Sequence, residues 1–126
     1  MVEVRAPRLT PLEAETPPTD NRLEIPATVH TSLLESFQGV NVVINAAGIS
    51  DAQSQKQRDL QVANAHLPMV LVQACRAAHV QRFIHVSTVA VQGDLPVLDS
   101  SQRFRPLSPY SESKTLAERW LLDEDQ

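Results

Sequence analysis

Apolar residues recur at helical spacing in two stretches of the chain. In the first, residues 28–38, an apolar side chain returns every three or four positions, and Gly39 follows where a helix would be capped. The second, residues 58–79, has the longest such pattern and predicts an amphipathic helix with one apolar stripe. The residues of that stripe are Leu60, Ala63, Leu67, Val70, Leu71, Ala74 and Ala78. Cys75 borders the stripe, so we expect it to be a small buried side chain.

Two short runs rich in β-branched residues alternate with these helices. Residues 40–45 have almost no polar alternation, which predicts a strand covered on both faces, and residues 82–87 predict a second strand. A last helix is expected to start at Pro109, because proline suits the first helical turn, with Ser108 as its N-cap. The residues that we expect this helix to bury are Leu116, Ala117, Trp120 and Leu121.

The predicted elements follow one another as helix, strand, helix, strand, helix. This alternation is typical of α/β proteins, in which helical crossovers join parallel strands. Because such sheets normally have about five or six strands, residues 23–126 are expected to form part of a domain, with residues 23–25 as a candidate edge strand. Residues 1–22 are predicted to be a flexible head, since the first 26 residues hold five of the nine prolines and proline interrupts helices and central strands.

Composition and charge narrow the classes of function. Apolar residues make up 42% and charged residues 21% of the chain, which is typical of a globular protein. A net charge of -4 provides no basic stripe, so nucleic acid is not an expected partner. No apolar run approaches the roughly 20 residues of a membrane span, no signal peptide is recognisable, and one cysteine cannot form an internal disulfide. We therefore expect a cytoplasmic protein. The histidines lack metal-ligand spacing, so no metal site is predicted.

A tyrosine and a lysine four residues apart, Tyr110 and Lys114, are the strongest chemical signal in the chain. Positions i and i+4 lie on one face of a helix, so the phenol and the ammonium can approach the same small molecule. A nearby cation favours the ionised form of a phenol. That form is what a tyrosine needs to exchange protons with a substrate hydroxyl or carbonyl.

Three segments around this pair carry motifs of one known family. The sequence SPYSESKTLAE at residues 108–118 resembles the S-P-Y-x-x-S-K-x-x-x-E signature of the extended short-chain dehydrogenases/reductases, the NAD-dependent epimerases and dehydratases. The sequence RFIHVSTVAVQG at residues 82–93 resembles their R-F-v-x-x-S-S-x-x-V-Y-G strand, with Gln92 in place of the usual tyrosine. The sequence VVINAAG at residues 42–48 resembles the strand that lies against the cofactor. The resemblance implies a partial Rossmann-like fold with a doubly wound parallel sheet.

The resemblance also implies roles for individual residues and a cofactor, NAD or NADP. Tyr110 would be the catalytic acid/base, and Lys114 would hold the nicotinamide ribose and promote ionisation of the phenol. Thr88 would hydrogen-bond the substrate oxygen; the alternative is a loop hydroxyl that satisfies local backbone. The segment that would let backbone approach the cofactor closely is Ala46, Ala47 and Gly48.

Asn64 matches the family's asparagine in the preceding helix, and the sequence adds a physical reason. Pro68 lies four residues later and has no N–H, so the carbonyl of Asn64 loses its helical partner. We hypothesise that this carbonyl anchors a water molecule leading to Lys114. The alternative is that Pro68 only bends a surface helix.

Three interpretations of function remain. The first is an NAD(P)-dependent oxidoreductase, epimerase or dehydratase acting on a nucleotide sugar or similar alcohol, with a homodimer suggested by the family. The second is a non-catalytic binding or assembly remnant of the same fold. An unrelated α/β domain with a fortuitous motif would be a third.

Glycine is scarce in this chain, which bears on cofactor affinity. Dinucleotide-binding folds place pyrophosphate on a glycine-rich turn at a helix N-terminus. The only glycines are Gly39, Gly48 and Gly93, and their spacing cannot supply that turn. The 126-residue chain is therefore expected to be inactive alone.

We predict that the purified 126-residue chain shows no saturable binding of NAD(H) or NADP(H) below millimolar concentration, because the pyrophosphate would have no glycine-rich turn to bind. Isothermal titration calorimetry with each nucleotide measures this directly. A micromolar dissociation constant would show that the missing turn does not limit affinity.

Overall fold

The computed structural model describes residues 27–50 and 57–124. The predicted head and the candidate edge strand at residues 23–25 lie outside them. The described residues divide into two compact units, residues 27–43 with 70–83 and residues 44–50 and 57–69 with 84–124. Every residue singled out above for catalysis or cofactor binding belongs to the second unit, so the candidate site can be described within it.

The order of the described elements is the predicted alternation of helices and strands. One short π-helical turn joins the second and third helices, and a short 3₁₀ helix follows the second strand. The elements are helix α1 Ala27–Phe37, strand β1 Val42–Asn45, helix α2 Gln57–Gln61, the π turn Val62–His66, helix α3 Leu67–Ala77, strand β2 Arg82–His85, the 3₁₀ helix Val89–Gln92 and helix α4 Pro109–Glu124. No helix in the described ranges is long and apolar enough to cross a membrane.

Strands β1 and β2 pair side by side and run in the same direction. The amides of Gln81 and Arg82 donate to the carbonyl of Asn41 at 3.0 and 3.1 Å, and the amide of Val86 donates to the carbonyl of Asn45 at 2.9 Å. Residue numbers therefore rise together along both strands, which is the parallel arrangement. The helical crossover from α2 to α3 joins them, and this confirms the predicted α/β class.

The expectation that strand β1 is covered on both faces was wrong for the described part of the chain. Val42 is 46% exposed and Ile44 is 65% exposed, while Asn45 is buried. Ile84 and Val86, on and just after β2, are exposed as well. Successive side chains of a strand point to opposite faces. A run of β-branched residues indicates that the segment favours strand structure. It does not indicate which faces of the strand are buried.

The two helices predicted from apolar spacing are both present. Helix α1 ends at Phe37, just before Gly39, and its Leu33 and Phe37 are buried. In the longer helical stretch Leu60, Val70, Leu71 and Ala74 are buried as predicted, and the remaining members of the stripe are half-buried.

Cys75 is buried in helix α3, as expected of a small side chain beside the apolar stripe. Burial raises the pKa of its thiol to about 11. The thiol is therefore protonated at neutral pH, which makes it a poor nucleophile.

Helix α4 buries the predicted face only in part. Ala117 is buried and Trp120 and Leu121 are half-buried, but Leu116 is 43% exposed. The buried positions of the helix are mostly polar: Ser111, Ser113, Lys114 and Thr115. This part of α4 packs against α2, the π turn and the 3₁₀ helix. The prediction for Leu116 was wrong, because apolar spacing cannot detect a buried helix face that consists of polar side chains.

The last residues of the two strands are linked through their side chains. The amide of Ala47 donates to Oδ1 of Asn45 at 3.1 Å, so Nδ2 of Asn45 faces Nδ1 of His85 at 3.1 Å and donates to it. The ring proton of neutral His85 then lies on Nε2, which is buried without a hydrogen-bond partner among the described residues. Burial, with a smaller contribution from the charge of Lys114, lowers the pKa of His85 to about 4.

This depressed pKa predicts that acid destabilises the protein. Between pH 6.5 and about 4 the unfolded chain binds a proton at His85 and the folded chain does not, so stability falls as pH is lowered through that window. The free energy of unfolding should drop between neutral pH and about pH 5, and we expect this drop to be about 1–2 kcal/mol smaller in the His85→Leu variant than in the wild type. The value is reduced because part of the ring contacts solvent.

Urea unfolding at the two pH values measures this difference. The matched control is His79→Leu, which removes an exposed histidine. Equal pH dependence in the wild type and the His85→Leu variant would contradict the assignment of the effect to His85.

Candidate active site

The start of helix α4 is held by a reciprocal cap between two serines. The amide of Ser111 donates to Oγ of Ser108 at 3.2 Å, and the amides of Leu107 and Ser108 both donate to Oγ of Ser111 at 3.0 Å. These bonds satisfy amides that a helix N-terminus leaves unpaired. The prediction that Ser108 caps this helix is confirmed. The cap fixes Tyr110 at the second helical position, one turn before Lys114.

Lys114 is a buried ammonium, 6% exposed, that faces the end of strand β2. Its Nζ donates to the carbonyl of Val86 at 2.8 Å. An ammonium has three donors, so two N–H groups remain after this bond. Burial lowers the pKa of Lys114, and the charge of Glu118, one turn further along the helix, acts in the opposite direction.

Ser87, which follows Val86, makes a second contact with helix α4. The hydroxyl of Ser87 donates to Oε1 of Glu118. Residues 86 and 87 are thus tied to residues 114 and 118, which are successive turns of one helix face. Two adjacent contacts fix both the position and the direction of the chain as it leaves β2.

Thr88 follows directly after this double contact. Its backbone is extended, and it caps the 3₁₀ helix because its Oγ1 accepts the amide of Ala90 at 3.3 Å. That bond is the local backbone role considered as the alternative to catalysis. Since a hydroxyl can accept and donate at once, its proton is still available for a substrate oxygen. The 3₁₀ helix packs against α4, so Thr88 lies beside the helix that contains Tyr110 and Lys114.

The side chain of Asn64 forms buried hydrogen bonds that the sequence did not predict. The residue is 1% exposed. Its Oδ1 accepts the amide of Ile49 at 2.8 Å, and its Nδ2 donates to the carbonyl of Ile49 and to Oγ of Ser113, both at 3.0 Å. Ser113 in turn donates to the carbonyl of Tyr110 at 2.7 Å. One buried amide therefore connects the segment after β1 to the turn of α4 that contains Tyr110.

The backbone around Asn64 is the π turn rather than a straight helix. The amide of Leu67 bonds to the carbonyl of Val62, five residues back, and Pro68 follows. Pro68 is buried, so it does not lie on a surface helix as the alternative supposed. A proline and a π turn together disturb the regular helical bonding at this point. The hypothesis of a water molecule on the Asn64 carbonyl stays a prediction.

The segment Ala46, Ala47 and Gly48 presents its backbone to solvent, and all three residues are exposed. A Cβ atom on Gly48 would lie 2.5 Å from Oδ1 of Asn64. Only glycine fits there while the Asn64 amide keeps its bonds to Ile49. The side chains of this segment do not extend beyond Cβ, so a flat ligand can approach its main chain. No cluster of metal-ligating side chains occurs among the described residues.

We predict that Gly48→Ala destabilises the second unit by about 1–3 kcal/mol, because the new methyl group displaces the Asn64 amide from its partners. A double-mutant cycle with Asn64→Ala measures this by urea unfolding. In the Asn64→Ala background the same substitution should cost much less. Additive effects of the two substitutions would contradict the proposed contact.

Known proteins are similar to this chain in sequence and in fold. The model of the NAD dependent epimerase/dehydratase family matches residues 4–126. A UDP-glucose 4-epimerase of Yersinia pestis is 34% identical over 89 residues, which cover 67% of this chain and 26% of that protein.

Two solved structures can be superposed on most of the chain. MoeE5 in complex with UDP-glucuronic acid and NAD is 26% identical with a TM-score of 0.68, over 72% of this chain and 31% of the other. The UDP-glucuronic acid 4-epimerase of Bacillus cereus in complex with NAD is 26% identical with a TM-score of 0.60, over 72% and 30%. The chain thus spans about a quarter to a third of the length of these relatives. With its parallel α/β fold and its match over nearly all residues, this chain belongs to the NAD dependent epimerase/dehydratase family.

Proposed function

We propose that these residues are the acid/base part of an NAD(P)-dependent enzyme that oxidises, epimerises or dehydrates a nucleotide sugar. The observation that carries the proposal is the bond from Nζ of Lys114 to the carbonyl of Val86. It holds the end of β2, and with it Thr88, against the helix that contains Tyr110. Thr88, Tyr110 and Lys114 therefore lie on two segments of the chain that this hydrogen bond joins.

A nicotinamide cofactor fits the chemistry of this region. The exposed segment Ala46, Ala47 and Gly48 offers close approach to the main chain. Lys114 has two N–H groups left, which suits the two hydroxyls of a ribose. The two solved structures described above contain NAD. When bound, the nicotinamide would accept or supply a hydride. Both NAD and NADP remain candidates.

The chain's own residues would handle the proton. The phenol of Tyr110 would exchange a proton with the substrate hydroxyl or carbonyl oxygen, and the hydroxyl of Thr88 would donate a hydrogen bond to that same oxygen. The positive charge of Lys114 would favour the ionised phenol. Asn64 would act as a positioning residue through Ser113, and its carbonyl would hold the water molecule that leads to Lys114.

A nucleotide sugar is the proposed substrate class because of the relatives. One is a UDP-glucose 4-epimerase, and two others are a UDP-glucuronic acid 4-epimerase and a protein solved with UDP-glucuronic acid.

We also propose a homodimer that uses helices α2 and α4. Leu116 is exposed on α4 and borders a cleft of roughly 240 Å³ between these helices.

Tyr110→Phe is the decisive variant for this proposal. We expect it to reduce turnover of UDP-glucose by about 10²–10⁴-fold, the usual effect of removing a general acid/base, and we expect Thr88→Val to reduce it less. The chain alone is expected to be inactive because it binds the cofactor weakly, so the assay uses NAD⁺ well above millimolar concentration, where weak binding no longer limits the rate. It follows both NADH and the sugar product by chromatography.

Ser36→Ala is the matched control, because the Ser36 hydroxyl lies in the first unit and, among the described residues, bonds to the carbonyl of Ser32. It should leave turnover unchanged. Equal turnover in the wild type and Tyr110→Phe would rule out the role of the phenol. No turnover in the wild type would instead favour the non-catalytic interpretation.

A further inference from the structure

Gln92 is a buried amide, 5% exposed, at the end of the 3₁₀ helix. It is also the position where the chain departs from the tyrosine of the family pattern. A buried amide is stable only if its donors and acceptor are paired. Its partners therefore show what the residue holds in place.

The Gln92 side chain bonds to the backbone of the loop that follows it. Its Nε2 donates to the carbonyls of Asp99 and Ser101 at 2.8 and 2.9 Å, and its Oε1 accepts the amide of Asp99 at 3.0 Å. The amide thus pairs with both backbone groups of Asp99, as a neighbouring strand would. A tyrosine has one hydroxyl and could not make this set of bonds.

The loop is closed on itself beyond these bonds. The amide of Arg105 donates to the carbonyl of Val91 at 2.8 Å, and the guanidinium of Arg105 pairs with Asp94 at 3.0 Å. Gly93 has a φ of +57°, and a Cβ atom there would lie 2.0 Å from the carbonyl oxygen of Arg105. The two ends of the loop therefore touch where only glycine fits.

The far end of the same loop enters helix α4. The amides of Leu107 and Ser108 donate to Ser111, as described for the cap. The ring of Phe104 lies 5.5 Å beneath the guanidinium of Arg119 on that helix. The loop is thus continuous with the turn of α4 that contains Tyr110, and its other end begins just after the helix capped by Thr88.

We propose that Gln92 is a positioning residue that orders the loop of residues 93–107 and, through it, the first turn of helix α4. In this way it fixes the phenol of Tyr110 relative to the hydroxyl of Thr88. The catalytic meaning of that separation rests on the proposed function. The ordering itself does not, so the two can fail separately.

Hydrogen exchange of the full chain tests the ordering. In Gln92→Leu we expect the amide of Asp99 and the amides of Leu107 and Ser108 to exchange about tenfold faster or more, as expected for the loss of one or more hydrogen bonds. Gln92→Glu should also speed exchange at Leu107 and Ser108 at neutral pH, because a carboxylate has the same shape and can accept the amide of Asp99 but has no N–H donors for the carbonyls of Asp99 and Ser101. Gln102→Leu, an exposed glutamine of the same loop, should leave these rates within about twofold of the wild type.

Faster exchange at Asp99 alone, with Leu107 and Ser108 unchanged, would overturn the proposal, as would unchanged exchange at all three. Wild-type rates at Leu107 and Ser108 in Gln92→Glu would also overturn it, because the bonds that Nε2 of Gln92 donates would then not order the loop. If the amides throughout helix α3 exchange rapidly in Gln92→Leu, that variant is unfolded and Gln92→Asn replaces it. The shorter side-chain amide of asparagine cannot reach both carbonyls.

Turnover separates this inference from the proposed function. If the wild type turns over UDP-glucose, Gln92→Leu should lower kcat and leave the KM for NAD⁺ unchanged. An unchanged kcat with faster exchange at all three amides would overturn the link to Tyr110. If the wild type shows no turnover, the proposed function fails while the exchange rates still decide the ordering.

Discussion

The buried ammonium of Lys114 is the constraint on which this region depends. A charge removed from water is unfavourable unless other dipoles replace the solvent. Here the replacement is the carbonyl of Val86, a backbone group whose position is set by the pairing of β2 with β1. Because the lysine must reach that carbonyl, helix α4 has little freedom to rotate or slide along the strand.

Glu118 extends this constraint by one helical turn. Its carboxylate accepts the hydroxyl of Ser87 and offsets part of the effect of burial on the pKa of Lys114. A helix held at one point can pivot, whereas a helix held at two points four residues apart cannot. This arrangement fixes the positions of Tyr110 and Thr88. Tyr110 is one helical turn before Lys114, and Thr88 is one residue after Ser87.

The sequence predicted the helices, the strands and the order in which they alternate, because apolar spacing and β-branched runs report local preference. It also singled out the tyrosine and lysine pair, since helical geometry relates positions four residues apart. It did not predict the side-chain bonds of Asn64 or the polar buried face that leaves Leu116 exposed. Both depend on partners distant in sequence: Ile49 and Ser113 are 15 and 49 residues from Asn64. Periodicity identifies a buried face and cannot identify what that face bonds to.

The scarcity of glycine gains a different meaning from these contacts. From the sequence, three glycines indicated only that the phosphate-binding turn is missing. In the structure, Gly48 and Gly93 are the points where a Cβ atom would collide with Asn64 and with the backbone of Arg105. Each therefore allows a polar group to approach the main chain, one beside the segment proposed to meet the cofactor and one where the loop of Gln92 closes. Close packing of polar groups, rather than a flexible backbone, explains why glycine is required at these two positions.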